Sequence, residues 1–284
     1  MNNRYNILAN LSIKNFNYAF TRFSWPVNIS DNEWWMPPEL LSIYGTTYFY
    51  SLNESQLKLL SKWECINLFS ININGEREVI TRIAELTNKP ISIDFNDYLY
   101  HFILEENQHM WWFENFCKKY AGKFYYSKNL EKENIFQDYI ILAIITLARI
   151  LIFEEIGHFY NINISKSKIV NSFIRDLNEA HRNDEARHIT FGRQVLKDLV
   201  CKSSLLGDLA LKKKVHEHLF KFLENTINSL YNPDAYKDSR IDIVFKEKGF
   251  TIRNNILSSD VRQNFNKKNF SDPIHKIFKD IGIF

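Results

Sequence analysis

Glycine, proline and cysteine are scarce in this sequence, and each scarcity excludes a class of structure. The 284 residues include 8 glycines and 6 prolines, which favours long uninterrupted helices over folds with many tight turns. The three cysteines (Cys65, Cys117 and Cys201) are far apart and form no CxxC motif. This spacing argues against a disulfide framework or a zinc knuckle, and we expect reduced thiols in a cytoplasmic protein.

An excess of charge and a membrane-spanning run are also lacking. The formal net charge is only +3, which gives no reason to expect nucleic acid as a partner. The N-terminus is polar and has no apolar signal-peptide core. The most apolar run, from Tyr139 to Phe153, is too short to span a bilayer and contains Arg149. We expect it to be a central helix of a soluble core, with no membrane partner.

Aromatic residues and helical periodicity are abundant. The sequence has 23 Phe, 14 Tyr and 6 Trp, and many of them lie in residues 1–50, where three prolines predict an irregular arm that wraps the body. We expect a single domain made of this arm, the helices of residues 53–200 with the candidate ligands, and C-terminal helices in 201–284. The predicted helices begin near Asn53, then run about Asn96–Tyr120, Glu133–Tyr160, Lys166–Leu199 and Leu205–Tyr231, with shorter segments around Arg240–Lys248 and Pro273–Phe284.

The segment from His181 to His188 carries the strongest chemical signal. It places His181, Glu185 and His188 at positions i, i+4 and i+7. On an α-helix these steps rotate by about 400° and 700°, so the three side chains share one narrow stripe. Two imidazoles and a carboxylate on one face are suitable ligands for a transition metal.

The three preceding helices each offer an inward carboxylate as well. The second helix carries Glu106 and His109, an E-x-x-H pair on one face, and Glu185 with His188 is a second such pair. The first helix offers Glu76, whereas the third offers either Glu154 or Glu155, which helical phase does not separate. Two E-x-x-H pairs and one glutamate from each of two further helices are the pattern of dinuclear carboxylate bundles.

Each element also has an ordinary explanation. An isolated E-x-x-H pair is usually solvated, Glu76 could lie at a helix end, and the Glu154–Glu155 doublet could mark where a buried helix meets water. The joint pattern favours the metal site, because carboxylates inside an apolar core are costly without metal or hydrogen-bond partners.

The chain resembles the p-aminobenzoate N-oxygenase family of ferritin-like di-iron enzymes. The resemblance rests on the additional histidine, because the last ligand helix reads His181-x-x-x-Glu185-x-x-His188. It covers roughly residues 40–235. It implies an all-α, ferritin-like four-helix bundle with additional helices at both ends. It also implies seven metal ligands: Glu76, Glu106, His109, Glu154, His181, Glu185 and His188.

The same resemblance implies a function. Two Fe ions would use O₂ as co-substrate to oxidise the nitrogen of a small-molecule amine of secondary metabolism, through hydroxylamine towards nitro. No G-x-G-x-x-G motif or cysteine cluster is present, so we expect an external electron donor. A homodimer is the default expectation for oligomeric state.

Three alternatives remain open from the sequence. A di-iron hydroxylase or desaturase acting on carbon would use the same ligand set, since the substrate is determined by cavity residues. An iron-storage protein would need a more compact four-helix subunit. A metal-free helical scaffold would require seven well-placed ligand candidates to be a coincidence.

Overall fold

The computed structural model describes residues 3–16, 18–126, 136 and 138–284. These residues form helices and no β-strand, apart from one isolated bridge between Trp34 and Val170. The all-α prediction is therefore confirmed. The α-helices are α1 (Asn3–Asn15), α2 (Thr47–Tyr50), α3 (Glu54–Leu86), α4 (Asn96–Ala121), α5 (Tyr139–Lys166), α6 (Ser172–Lys202), α7 (Leu209–Ser229), α8 (Pro233–Asp238), α9 (Ile241–Phe245), α10 (Gly249–Leu257), α11 (Asp260–Asn266) and α12 (Asp272–Ile281).

The four longest helices, α3 to α6, form a four-helix bundle. Helix α3 packs along α4 and α5 packs along α6, while the two pairs meet through α3 with α5 and α4 with α6. The start of α3 is fixed by a capping box, in which the Asn53 side chain accepts a hydrogen bond from the Gln56 backbone N–H. Asp138 and Asn171 cap α5 and α6 in a similar way. These caps fix where three of the four bundle helices start.

Helix α5 is the apolar centre of the bundle, as its sequence predicts. It is buried on most sides, and even Arg149 is only 8% exposed. The predicted start at Glu133 lies outside the described residues. The helix continues to Lys166, beyond the predicted end at Tyr160, because Ile164 is still fully buried. Within the described part of the chain, no helix has the length and apolarity needed to cross a bilayer.

The prediction that residues 1–50 are irregular is wrong at two places. Residues Asn3–Asn15 form helix α1, because the first proline occurs only at position 26 and nothing interrupts a helix before it. One face of α1 buries Tyr5, Leu8 and Ser12, and the Tyr5 hydroxyl donates to Asp198 on α6 at 2.7 Å. The four residues of α2 are also helical.

Other boundaries differ from the sequence-based ones for local reasons. Helix α6 begins at Ser172 rather than near Lys166, because the Asn171 side chain accepts hydrogen bonds from the first backbone N–H groups. Helix α7 begins at Leu209 after the Asp208 cap. Beyond α7 the structure has five short α-helices and one π-helical turn (Lys267–Ser271) where two helical segments were predicted, and Arg240 and Lys246, both with left-handed backbone, flank α9.

Candidate metal centre

The structure brings all seven predicted ligand residues together inside the bundle. Each side chain belongs to a buried residue, none more than 3% exposed. Because the four helices run alongside one another, single positions on each meet at one level of the core. Helix α3 supplies Glu76, α4 supplies Glu106 and His109, α5 supplies Glu154, and α6 supplies His181, Glu185 and His188.

The seven side chains form two groups, each compact enough to surround one cation. In each group, the potential ligand atoms lie within 4.8 Å of one another. Each group could therefore hold one metal ion, and the two together could hold a pair. The first group is Glu76, His109 and His181, and the second is Glu106, Glu154, Glu185 and His188.

Glu185 and Glu106 connect the two groups. Glu185 Oε1 lies 2.7 Å from His181 Nε2 and 3.3 Å from His109 Nδ1, whereas its Oε2 lies 3.2 Å from His188 Nδ1. Glu106 Oε1 lies 2.8 Å from His188 Nδ1 and its Oε2 lies 3.8 Å from His109 Nδ1. Each of these carboxylates therefore turns one oxygen towards each group, which is the geometry of a bridging ligand.

A polar group on the outer side of each imidazole fixes its orientation. The Nε2 atom of His109 lies 3.1 Å from Asp184 Oδ2, and that of His188 lies 2.8 Å from Glu105 Oε2. A proton on Nε2 donated to these carboxylates leaves the Nδ1 lone pair directed at the cluster. Such carboxylate–histidine pairs are the usual support of metal-ligating imidazoles.

His181 presents the other ring nitrogen, Nε2, to the cluster. Its Nε2 faces Glu76 and Glu185, while its Nδ1 lies 2.8 Å from the Asn161 side-chain amide. With the amide oxygen turned to the ring, Nδ1–H donates to Asn161 and the Nε2 lone pair faces the cluster. The three histidines thus present Nδ1, Nδ1 and Nε2 to the same interior space.

The Glu154–Glu155 and Glu105–Glu106 doublets each have one residue among the ligand candidates and one residue outside them. Glu154 is buried in the cluster, whereas Glu155 accepts a hydrogen bond from Arg193 Nε at 2.8 Å. The sequence left this choice open, and the structure places Glu154 with the other ligand candidates. Glu105 was not among the predicted residues, although it is buried against His188 and pairs with Arg187. The Glu105–Glu106 doublet was the only sequence signal for it.

Burial and neighbouring charges shift the pKa values of several side chains in the cluster. Burial and the neighbouring Glu106 carboxylate raise the pKa of Glu76 well above its ordinary value. Burial lowers the pKa of His181 well below its ordinary value, and His109 adds to this effect. For His188, burial alone would lower the pKa, but Glu185 and Glu106 outweigh it and raise the pKa well above its ordinary value.

The donor set fits two divalent cations. Within the described residues, several buried ligand atoms have no hydrogen-bond partner, which is costly in an apolar core. Two divalent ions would satisfy these atoms, and their positive charge would be balanced by the four carboxylates of the cluster. The unsatisfied atoms are both carboxylate oxygens of Glu76 and Glu106, one oxygen each of Glu154 and Glu185, Nδ1 of His109 and Nε2 of His181.

Comparison with known protein families identifies the family of this chain. The sequence model for p-aminobenzoate N-oxygenase AurF matches residues 2–282. The chain belongs to this family. The resemblance seen in the His181–His188 motif is thereby confirmed over nearly the whole chain, beyond the range of about 40–235 inferred from the motifs.

Membership of the p-aminobenzoate N-oxygenase family makes the protein an enzyme, a non-haem oxygenase with a dinuclear metal site. The storage and metal-free alternatives are set aside by this finding. No curated protein matches the chain. Two solved structures to which this chain is similar are variants of an R2-like ligand-binding oxidase with an aerobically reconstituted Mn/Fe cofactor. Each is 13% identical, covers 94% of this chain and 93% of that chain, and has a TM-score of 0.49.

Proposed function

We propose that the protein N-oxygenates a small amine, using two iron ions and O₂. The observation that carries the proposal is the third histidine, His181, which lies in the same buried cluster as the two E-x-x-H pairs. Family membership supports nitrogen as the oxidised atom, and the four carboxylates with three imidazoles suit iron.

Each residue of the cluster has a definite role in this proposal. Glu76, His109 and His181 would hold one iron ion, while Glu154 and His188 would hold the other. Glu106 and Glu185, whose oxygens contact histidines of both groups, would serve both ions. When bound, the iron pair supplies the activation of O₂.

His181 makes this site differ from a bundle with only two E-x-x-H pairs. Burial keeps the pKa of its imidazole low. The ring therefore stays neutral, and the lone pair on its Nε2 remains available to bind a metal ion. It fills a position that water or a further carboxylate would otherwise take. Asn161 holds the ring in this orientation.

The walls of the cluster exclude water. The Phe102 ring stacks on His188 with its centroid 3.8 Å from the imidazole centroid, and Phe113 packs edge-on against His181 at 4.8 Å. A dry site strengthens the electrostatic interactions within it. We also propose a separate electron donor, since the chain has neither a dinucleotide-binding motif nor a cysteine cluster.

The proposed reaction predicts a nitrogen-oxidised product. The iron-loaded, reduced protein is mixed with isotopically labelled O₂ and a panel of arylamines and amino acids, and the products are analysed by mass spectrometry. We expect labelled hydroxylamine or nitro compounds, which are absent with metal-free protein. Labelled products hydroxylated or desaturated only at carbon would overturn N-oxygenation in favour of the carbon-oxidising alternative.

A further inference from the structure

A wide groove runs over the surface where α3, α5 and α7 meet. Its volume is about 840 Å³, which lies within the range of pockets that bind small molecules. A second pocket of about 40 Å³, too small for an organic substrate, adjoins it and is called its narrow end here. Gly75, Arg149, Phe153 and Phe222 line both the groove and the narrow end, so the two spaces adjoin.

Two residues that line the narrow end are chain neighbours of ligand candidates. Gly75 directly precedes Glu76 on α3, and Phe153 directly precedes Glu154 on α5. These two helices contribute one glutamate each and no histidine to the cluster. The histidines and their outer partners Asp184 and Glu105 belong to α4 and α6. The groove therefore lies along the two bundle helices that contribute only carboxylates to the cluster.

The ring of Phe153 fills the seam between α3 and α5. A Cβ atom built on Gly75 would lie 2.3 Å from Cε2 and Cζ of Phe153, so only glycine lets the ring lie so close to the α3 backbone. The ring is half-buried, with Phe222 and Arg149 beside it across the pocket. Rotation of this one side chain towards the groove would open the seam between α3 and α5 next to Gly75.

We propose that Phe153 is the gate between the groove and the metal pair, and that it determines which molecules reach the site. This inference rests on the proposed function, because it takes the cluster to hold metal and the substrate to arrive from solvent. Rotation of a single partly exposed side chain is fast, so the gate need not slow a catalytic turnover. The size of residue 153 then limits access.

The test compares Phe153→Ala with Phe159→Ala in the full-length, iron-loaded protein. Phe159 is an equally half-buried phenylalanine on the same helix, but its ring packs against Phe265 and Phe270, away from the groove. The readout is the rate at which bipyridine removes Fe(II), followed by the colour of the complex. We expect Phe153→Ala to release iron about tenfold faster than the unsubstituted protein, because the local opening that exposes the cluster is no longer needed. Phe159→Ala should stay near the original rate.

Two outcomes separate the gate from the proposed function. Failure of the unsubstituted protein to bind two metal ions would overturn the metal site and the gate with it. Two bound ions with equal release rates in the unsubstituted protein and Phe153→Ala would overturn the gate alone. Phe153→Leu serves as a second variant that keeps an apolar side chain, and it should release iron at an intermediate rate. Circular dichroism confirms that each variant is folded.

Discussion

Replacing Glu185 with glutamine should abolish binding of both metal ions. Glu185 contacts all three histidines of the cluster, with one oxygen towards each group. Glutamine keeps the shape but removes the charge and one of the two acceptor oxygens. Loss of an outer partner of a ligand typically costs 10–100-fold in metal affinity or activity, so loss of a bridging ligand should cost at least about 100-fold. Metal content measured after gel filtration checks this, together with O₂ consumption by the reduced protein.

The control for Glu185 is a surface glutamate on the same helix. Glu179 pairs with Arg182 and is well exposed, so Glu179→Gln should retain both metals and full activity. Such a partly exposed ion pair contributes little to stability. Two tightly bound metal ions in folded Glu185→Gln would show that Glu185 does not bridge the two sites.

Replacing His181 with alanine should remove one metal ion and leave the other. His181 contacts Glu76 and Glu185, at 3.4 and 2.7 Å from Nε2, and belongs to the group of three ligands only. Without it, that ion would keep His109 as its single imidazole. We expect about one metal per chain, loss of amine oxidation and an unchanged helical content, since losses confined to one site leave the other ligands in place.

His158 provides the matched control for His181. It lies on α5 outside the cluster, and burial and Arg182 lower the pKa of its ring. His158→Ala should therefore keep both metal ions and turnover. Added imidazole that restores the second metal in His181→Ala would support the role of His181 as a ligand. Full metal content and unchanged turnover in His181→Ala would remove this residue from the mechanism.

Part of the candidate site could be predicted because it depends on local spacing, whereas the full set of seven residues was implied by the family resemblance. The steps from His181 to Glu185 and His188 fix a common face as soon as the segment is helical. Local spacing could not decide whether Glu154 or Glu155 joins the cluster, because their helix is apolar on nearly all sides and has no distinct inward face. Only the neighbour on another helix decides, and that neighbour is Arg193 for Glu155.

The features that the sequence did not reveal depend on tertiary contacts. Asn161 and Glu105 support histidines on α6 from other helices, and nothing in their local sequence indicates those partners. Gly75 and Phe153 are 78 positions apart, yet the ring needs that glycine. Helix α1 was missed for a different reason: the prolines that follow it suggested an irregular segment, although none of them lies inside it.

The number of metal ions bound per chain is the decisive measurement for the dinuclear site. The protein is produced with iron, freed of loosely bound metal and analysed by elemental mass spectrometry against protein concentration. The two groups of ligands predict two ions per chain, both lost on treatment with a chelator under reducing conditions. Zero or one ion per chain in folded, iron-supplied protein would contradict the dinuclear site on which the proposed reaction depends.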